Sequence, residues 1–237
     1  DLKQAYELIL NQTDISHRKL SGKFLKEFLP KILKASSSDP IITDKNKTLH
    51  TLFTDSTFLK SITLLIPLSA EAEEFFTKLR KELLTLSTTE RIIPQQIKRL
   101  TEALAVQCFL NEYVYTSSQE EDNSTAKLIN SAVQSKEDTN RYLAIIGCYK
   151  AIHTTGISPE FINNYPAADD SSKELIAAQF REHLQEKEIN ASFQGKRNIT
   201  NTISQQVQEM YEENPYPRFK FANYTANKLA NPIFKAI

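Results

Sequence analysis

The sequence predicts an all-α protein, a multi-helical array of about nine or ten helices with no sheet. Three observations carry that expectation. Apolar residues recur at three- and four-residue spacing along most of the chain, and no long stretch alternates apolar and polar with period two. Helix-start signals stand ahead of several of these runs. Only four glycines occur in 237 residues, Gly22, Gly147, Gly156 and Gly195, too few for a chain built of tight turns.

Taken in order, residues 2–10 form a short amphipathic helix through Leu2, Ala5, Tyr6, Ile9 and Leu10. A second spans 18–34, with Leu20, Phe24, Leu25, Phe28, Ile32 and Leu33 apolar, and Pro30 is expected to kink it or start a new helix. The segment is basic, carrying Arg18, Lys19, Lys23, Lys26, Lys31 and Lys34 against Glu27, a pattern that fits a membrane surface or an acidic partner but reads first as a solvated face. Residues 35–47 have loop chemistry, and an apolar run fills 48–67 up to Pro67. Ser69 is expected to cap the next helix, with Glu71, Glu73 and Glu74 favourable in its first turn and Phe75, Phe76, Leu79, Leu83 and Leu84 inward.

Ser87-Thr-Thr-Glu90 matches a capping box, and Pro94 suits the first turn of a helix reaching Tyr115. That helix is apolar around most of its circumference, so it is expected to be the buried central helix. Gln107, Asn111 and Glu112 are polar positions within it. They are expected either to cap neighbouring helix ends or, for Asn111 and Glu112, to face a site. A polar loop at 116–125 precedes a helix to Gln134, and Ser135-x-x-Asp138 opens another that ends at His153-Thr-Thr-Gly156. Gly147 within it implies a close helix approach. Ser158-Pro159-Glu160 starts a short helix. Ser171-Ser-Lys-Glu174 is a second capping box, opening a helix to about Lys187. The segmentation is N-terminal helices at 1–88, a central helical region at 89–205, and a proline-stiffened linker at 206–237.

Composition narrows the function. Lys plus Arg and Asp plus Glu both total 29, so no global attraction to nucleic acid or anionic membrane is expected. No G-x-G-x-x-G or P-loop fits the four glycines, and the four histidines show no zinc-ligand spacing. Cys108 and Cys148 lie in apolar stretches and read as buried reduced thiols. No apolar run reaches membrane-spanning length and no signal peptide is visible, so a cytoplasmic location is expected.

The stretch Val207–Phe219 changes from helical to extended within a few residues. Pro215 and Pro217 fix the backbone on both sides of Tyr216, and Asn214 is driven out of the helical region by the proline after it. Tyr216 and Arg218 are thereby presented from a stiff segment. On residues alone a proline-stiffened domain linker is the favoured reading.

Tyr211-Glu-Glu-Asn-Pro-Tyr-Pro-Arg218 resembles the Y-E-E-N-P-Y-P-R-W motif of a family of bacterial proteins in which it precedes a class I S-adenosylmethionine-dependent methyltransferase domain, often behind tetratricopeptide repeats. Phe219 replaces the tryptophan usual there. Ala103-Leu-Ala-Val-Gln-Cys-Phe-Leu-Asn-Glu-Tyr-Val-Tyr115 is similar to a second segment of that family, A-L-A-x-Q-C-F-L-N-E-Y-V. The resemblance covers roughly residues 60–237 and carries no tetratricopeptide repeat here. It implies a helical region, not catalytic by itself, whose C-terminal neighbour is a methyltransferase domain and whose task is to position a protein substrate or partner. Glu213, Asn214, Pro215 and Pro217 would form the hinge or lid, and Tyr216 and Arg218 would reach the cofactor, S-adenosylmethionine. The alternative is a free-standing helical protein–protein interaction module.

Overall fold

The structure, a computed structural model, describes residues 2–12, 18–43, 45–67, 69–89 and 94–193. Among these residues it is entirely helical, with ten helices and no strand. They are α1 (Leu2–Leu10), α2 (Arg18–Ser36), α3 (Lys47–Thr54), α4 (Ser56–Ile62), α5 (Ala70–Thr89), α6 (Gln95–Leu110), α7 (Gln119–Gln134), α8 (Lys136–Gly147), α9 (Pro159–Asn163) and α10. The last is continuous through Asp170–Ile176, a π-helical segment at Ala177–Arg181, and Glu182–Phe193. A 3-10 turn, Ile152–Thr154, follows α8.

The centre of the molecule is α6. Every residue from Leu100 to Asn111 is buried, and α3, α4, α5, α8 and α10 all pack against it. The remaining helices form outer layers: α1 against α4, α2 against α3 and α5, and α7 folded back on α8 through the single extended residue Ser135. One apolar cluster runs from Tyr6 to Phe180.

Several boundaries differ from the sequence expectation, each for a local reason. Pro30 neither breaks α2 nor starts a new helix. It sits on the exposed face, where water can satisfy the carbonyl left without its N–H partner, while Phe28 and Ile32 on the other face are buried. The 48–67 run is two helices, because Asp55 serves both ends: its N–H donates to Leu52 O and its carboxylate accepts from Thr57 N at 3.0 Å and Phe58 N at 3.2 Å. Ser87 is no cap. It is buried inside α5 and its hydroxyl donates to Leu83 O at 2.7 Å, the back-bond that satisfies serine within a helix. The polar 119–125 stretch is the first two turns of α7, not a loop. Ser118 and Glu121 form a reciprocal capping box there, and Glu120, Glu121 and Asp122 favour the positive helix start. At α10 the cap falls two residues early, on Asp169, which accepts from Ser172 N at 3.2 Å. Ser69, Ser135 and Ser158 cap where the sequence places them.

The expected close approach at Gly147 is present. A Cβ there would lie 3.2 Å from Ala105 Cβ on α6, and 3.2 Å from Gln179 Oε1 and 3.3 Å from Leu175 Cδ1 on α10. Gly147 therefore lets α8 meet α6 and α10 at once. In chemical denaturation, Gly147→Ala is expected to lower stability by about 1–3 kcal/mol, because overpacking outweighs alanine's better helix propensity. Unchanged or higher stability would show that the three helices can part without cost.

Candidate functional site

The polar positions expected on the central helix gather at its C-terminal end. Helix α6 stops at Leu110, five residues before Tyr115, in a Schellman turn. Tyr113 N donates to Cys108 O at 2.8 Å and Glu112 N to Phe109 O at 3.2 Å. Glu112 and Tyr113 both have positive φ, 55° and 58°, a backbone region that usually takes glycine. The sequence carries no glycine or proline to announce this stop. Val114, expected inside, is 60% exposed as a result.

Gln107 is fully buried on α6. With its amide nitrogen turned toward α4, it donates to Ile62 O and Leu65 O, both at 2.6 Å, and so closes the end of that helix. Asn111 is the C-cap of α6, its N–H donating to Gln107 O at 3.1 Å. Both flank the buried Tyr115 phenol, whose pKa burial drives upward. Glu112 is half-buried on the turn. The structure thus brings Gln107 and Asn111 together around Tyr115, with Gln107 closing a neighbouring helix and Asn111 ending its own. Glu213, Asn214, Pro215, Tyr216, Pro217 and Arg218 lie outside the described residues.

Three further constellations surround α6, and the sequence reading named none of them. The first centres on Gln179 in the π segment of α10. Its amide nitrogen donates to Ala105 O at 2.7 Å and Gly147 O at 3.0 Å. Its side-chain oxygen accepts from Ile152 N at 3.2 Å and from the Tyr113 hydroxyl at 3.4 Å. One side chain so ties α6, α8, α10 and the 3-10 turn together. The wider π turn, in which Glu182 N bonds Ala177 O, offers the Gln179 carbonyl to His153 Nδ1 at 3.1 Å. The His153 ring stacks on His183 with centroids 3.7 Å apart.

The second is Arg80, 1% exposed on α5. Its guanidinium donates to Tyr115 O at 3.2 Å and Thr116 O at 2.7 Å, and lies over the Tyr149 ring at 4.2 Å. Tyr149 in turn donates to Glu121 at 2.8 Å. Burial alone would raise the Glu121 pKa. Hydrogen bonds from Ser118 N and Tyr149, with Arg80 near, bring it below the ordinary value.

The third is Glu102 on α6, 1% exposed. Tyr165 donates to its Oε1 at 2.7 Å, and Lys98 Nζ stands 3.7 Å from the same oxygen. Among the described residues no donor reaches Oε2. Burial pushes this carboxyl up to about 7, against the lowering by Tyr165 and Lys98. Next to it, Arg99 pairs with Asp169 at 3.2 Å. Arg99 also lines a cleft of about 460 Å³ between α4 and the start of α10, with Glu7, Lys60, Asp170 and Lys173 on its walls. Both signs of charge line this cleft, a lining suited to a polar ligand or peptide.

Among the described residues no cluster of three or more histidine, cysteine, aspartate or glutamate side chains could hold a metal, and no helix is long and apolar enough to cross a membrane. Cys108 and Cys148 are free and buried, as expected. No protein-family model matches this chain, and neither does a curated protein or a solved structure.

Two outcomes follow from the site geometry. Gln179→Met keeps the volume and removes four hydrogen bonds, stranding the Ile152 N–H. A stability loss of roughly 2–4 kcal/mol is expected in denaturant titration. A change below about 0.5 kcal/mol would show that the amide is dispensable. For Glu102 the sign runs toward instability at high pH. The folded state keeps the proton up to about 7, whereas the ordinary value is 4.5, so stability falls as pH rises between them. Glu102→Gln should therefore gain on the parent protein by something on the order of 3 kcal/mol between pH 4.5 and pH 8. A stability difference that stays flat with pH would contradict the burial argument.

Proposed function

We propose that this chain is the helical, substrate- or partner-positioning region of an S-adenosylmethionine-dependent methyltransferase of bacterial type. The methyltransferase domain would be its C-terminal neighbour, and Glu213-Asn-Pro-Tyr-Pro-Arg218 would form the hinge or lid between them. The observation that carries the reading is the pair of family-like segments, Ala103–Val114 and Tyr211–Arg218, in that order along one chain. The all-helical architecture agrees with it, and so does the work done by the first segment. Ala103–Leu110 is the buried hub, and Asn111 to Tyr113 end it in a tight turn. Such a rigid body gives a hinge something to move against. The mixed-charge cleft beside Arg99 is the surface we assign to the positioned protein substrate. Tyr216 and Arg218 would approach the cofactor, the guanidinium pairing with the carboxylate of its amino-acid tail. A cytoplasmic location goes with this reading.

A free-standing interaction module is the second reading. Leu184 at 42% and Ile189 at 55% exposure, on the part of α10 beyond the π segment, favour it, since apolar side chains left open on a helix suit a partner helix or groove.

The test uses the full-length protein that the gene encodes. Calorimetry is expected to show S-adenosylmethionine binding, weakened about tenfold or more by Arg218→Ala. A full-length protein that does not bind the cofactor, or an Arg218→Ala variant that binds it undiminished, overturns the assignment.

A further inference from the structure

The 164–169 loop is tied to the central helix at two places, Tyr165 and Asp169, of which the Tyr165 contact is the buried one. Tyr165, 5% exposed, donates its hydroxyl to Glu102 Oε1 at 2.7 Å, and Lys98 Nζ lies 4.7 Å from the centre of the Tyr165 ring. Four residues on, Asp169 caps α10 and holds Arg99 at 3.2 Å. Arg99, Asp170, Ser171 and Lys173 then form one wall of the cleft. The buried carboxylate, the loop and the cleft wall are thus a single chain of contacts. The groups acting on Glu102 are Lys98 on its own helix, and Tyr165 and Asp169 from the loop. Asp169 has its charge balanced by Arg99.

The carboxyl is half-served. Oε1 has a donor and Oε2, buried, has none among the described residues. A protonated carboxyl meets that arrangement at lower cost, because its charge is gone and Oε1 still accepts from Tyr165, although its O–H finds no acceptor at Oε2 among the described residues. A carboxylate does not, since an ion out of water needs donors at both oxygens, and the Lys98 ammonium at 3.7 Å faces only the oxygen already bonded. The least costly relief is for the loop to part from α6 and let water reach Oε2. The alternatives would disturb α6 itself, which other helices hold on its remaining sides.

We propose that Glu102 is a proton-operated latch: protonated, it holds the 164–169 loop against α6 through Tyr165, and on losing its proton it releases that loop and reshapes the Arg99–Asp170 wall of the cleft. The latch concerns the body of the protein and does not depend on the methyltransferase assignment. Cleft occupancy would be proton-linked in consequence, with a ligand that fits the closed wall favoured below neutrality.

Hydrogen–deuterium exchange on the full-length protein, corrected for the intrinsic pH dependence of amide exchange, tests it. Protection of peptides covering 162–172 is expected to fall by about tenfold or more between pH 6 and pH 8.5 in the parent protein, and by less than about twofold in Glu102→Gln. Peptides from the first two turns of α7 serve as the reference that should not follow. Constant protection in the parent protein overturns the latch, as does the same fall in Glu102→Gln. A second measurement needs no change at position 102. The side-chain carboxyl 13C signal of Glu102 in the parent protein should titrate near 7. A midpoint in the ordinary carboxylate range also overturns it.

Discussion

Burying α6 on every side is the constraint from which the rest of this structure follows. A helix with one wet face can leave its polar groups to water, but here each must be answered from within the protein. Gln107 is answered by the end of α4, Glu102 by Tyr165, and the Ala105 carbonyl by Gln179. The Gln179 amide is the strictest of these ties. It lies where α6, α8 and α10 converge, and it can reach all three only because residue 147 has no side chain to hold α8 away. The π segment serves the same end. Widening one turn of α10 leaves the Gln179 carbonyl free for His153 and turns its side chain into the gap between helices.

The helical class, most helices and the central one were legible because periodicity and serine caps are local signals. What could not be read was set by competition between equally good local signals. Ser87-x-x-Glu90 and Ser118-x-x-Glu121 have the same pattern, yet only Ser118 caps. Ser87 sits on the buried face of α5, where packing carries the helix past it. Asp55 reads as one polar residue in an apolar run, and only the folded chain shows it serving two helix ends. The stop after Leu110 left no trace, since glutamate and tyrosine occupy a turn that usually holds glycine. Of the polar core positions, Gln107 and Asn111 were recognisable as needing partners. The residues that converge with them, Arg80, Tyr149 and Gln179, are distant in sequence and carry no motif of their own.

Two charges are buried against α6, and they are treated differently. The Arg80 guanidinium donates to two carbonyls and lies against a tyrosine ring, with the Glu121 carboxylate nearby. The carbonyls it holds, at Tyr115 and Thr116, belong to the segment leaving the α6 turn, so the cation ties down the strained stretch that precedes it. Glu102 has fewer donors than its charge requires and meets that shortage by holding a proton. The guanidinium braces two carbonyls, whereas the Glu102 carboxyl makes a contact whose strength varies with its protonation state.

The turn at Glu112 and Tyr113 joins these themes. Two consecutive non-glycine residues at positive φ cost on the order of 1–3 kcal/mol each, which the surroundings must offset. Tyr113 shows where part of that offset arises: the turn brings its hydroxyl within 3.4 Å of Gln179 Oε1 and its ring edge-on to Phe109. Had α6 continued to Tyr115, the carbonyls of Tyr115 and Thr116 would no longer be placed to accept from Arg80. The early stop is therefore what allows a buried arginine on α5 and a buried glutamine on α10 to converge on the same end of one helix. The Ala103–Val114 segment acts as a structural hub because its sequence both fills the core and ends it there.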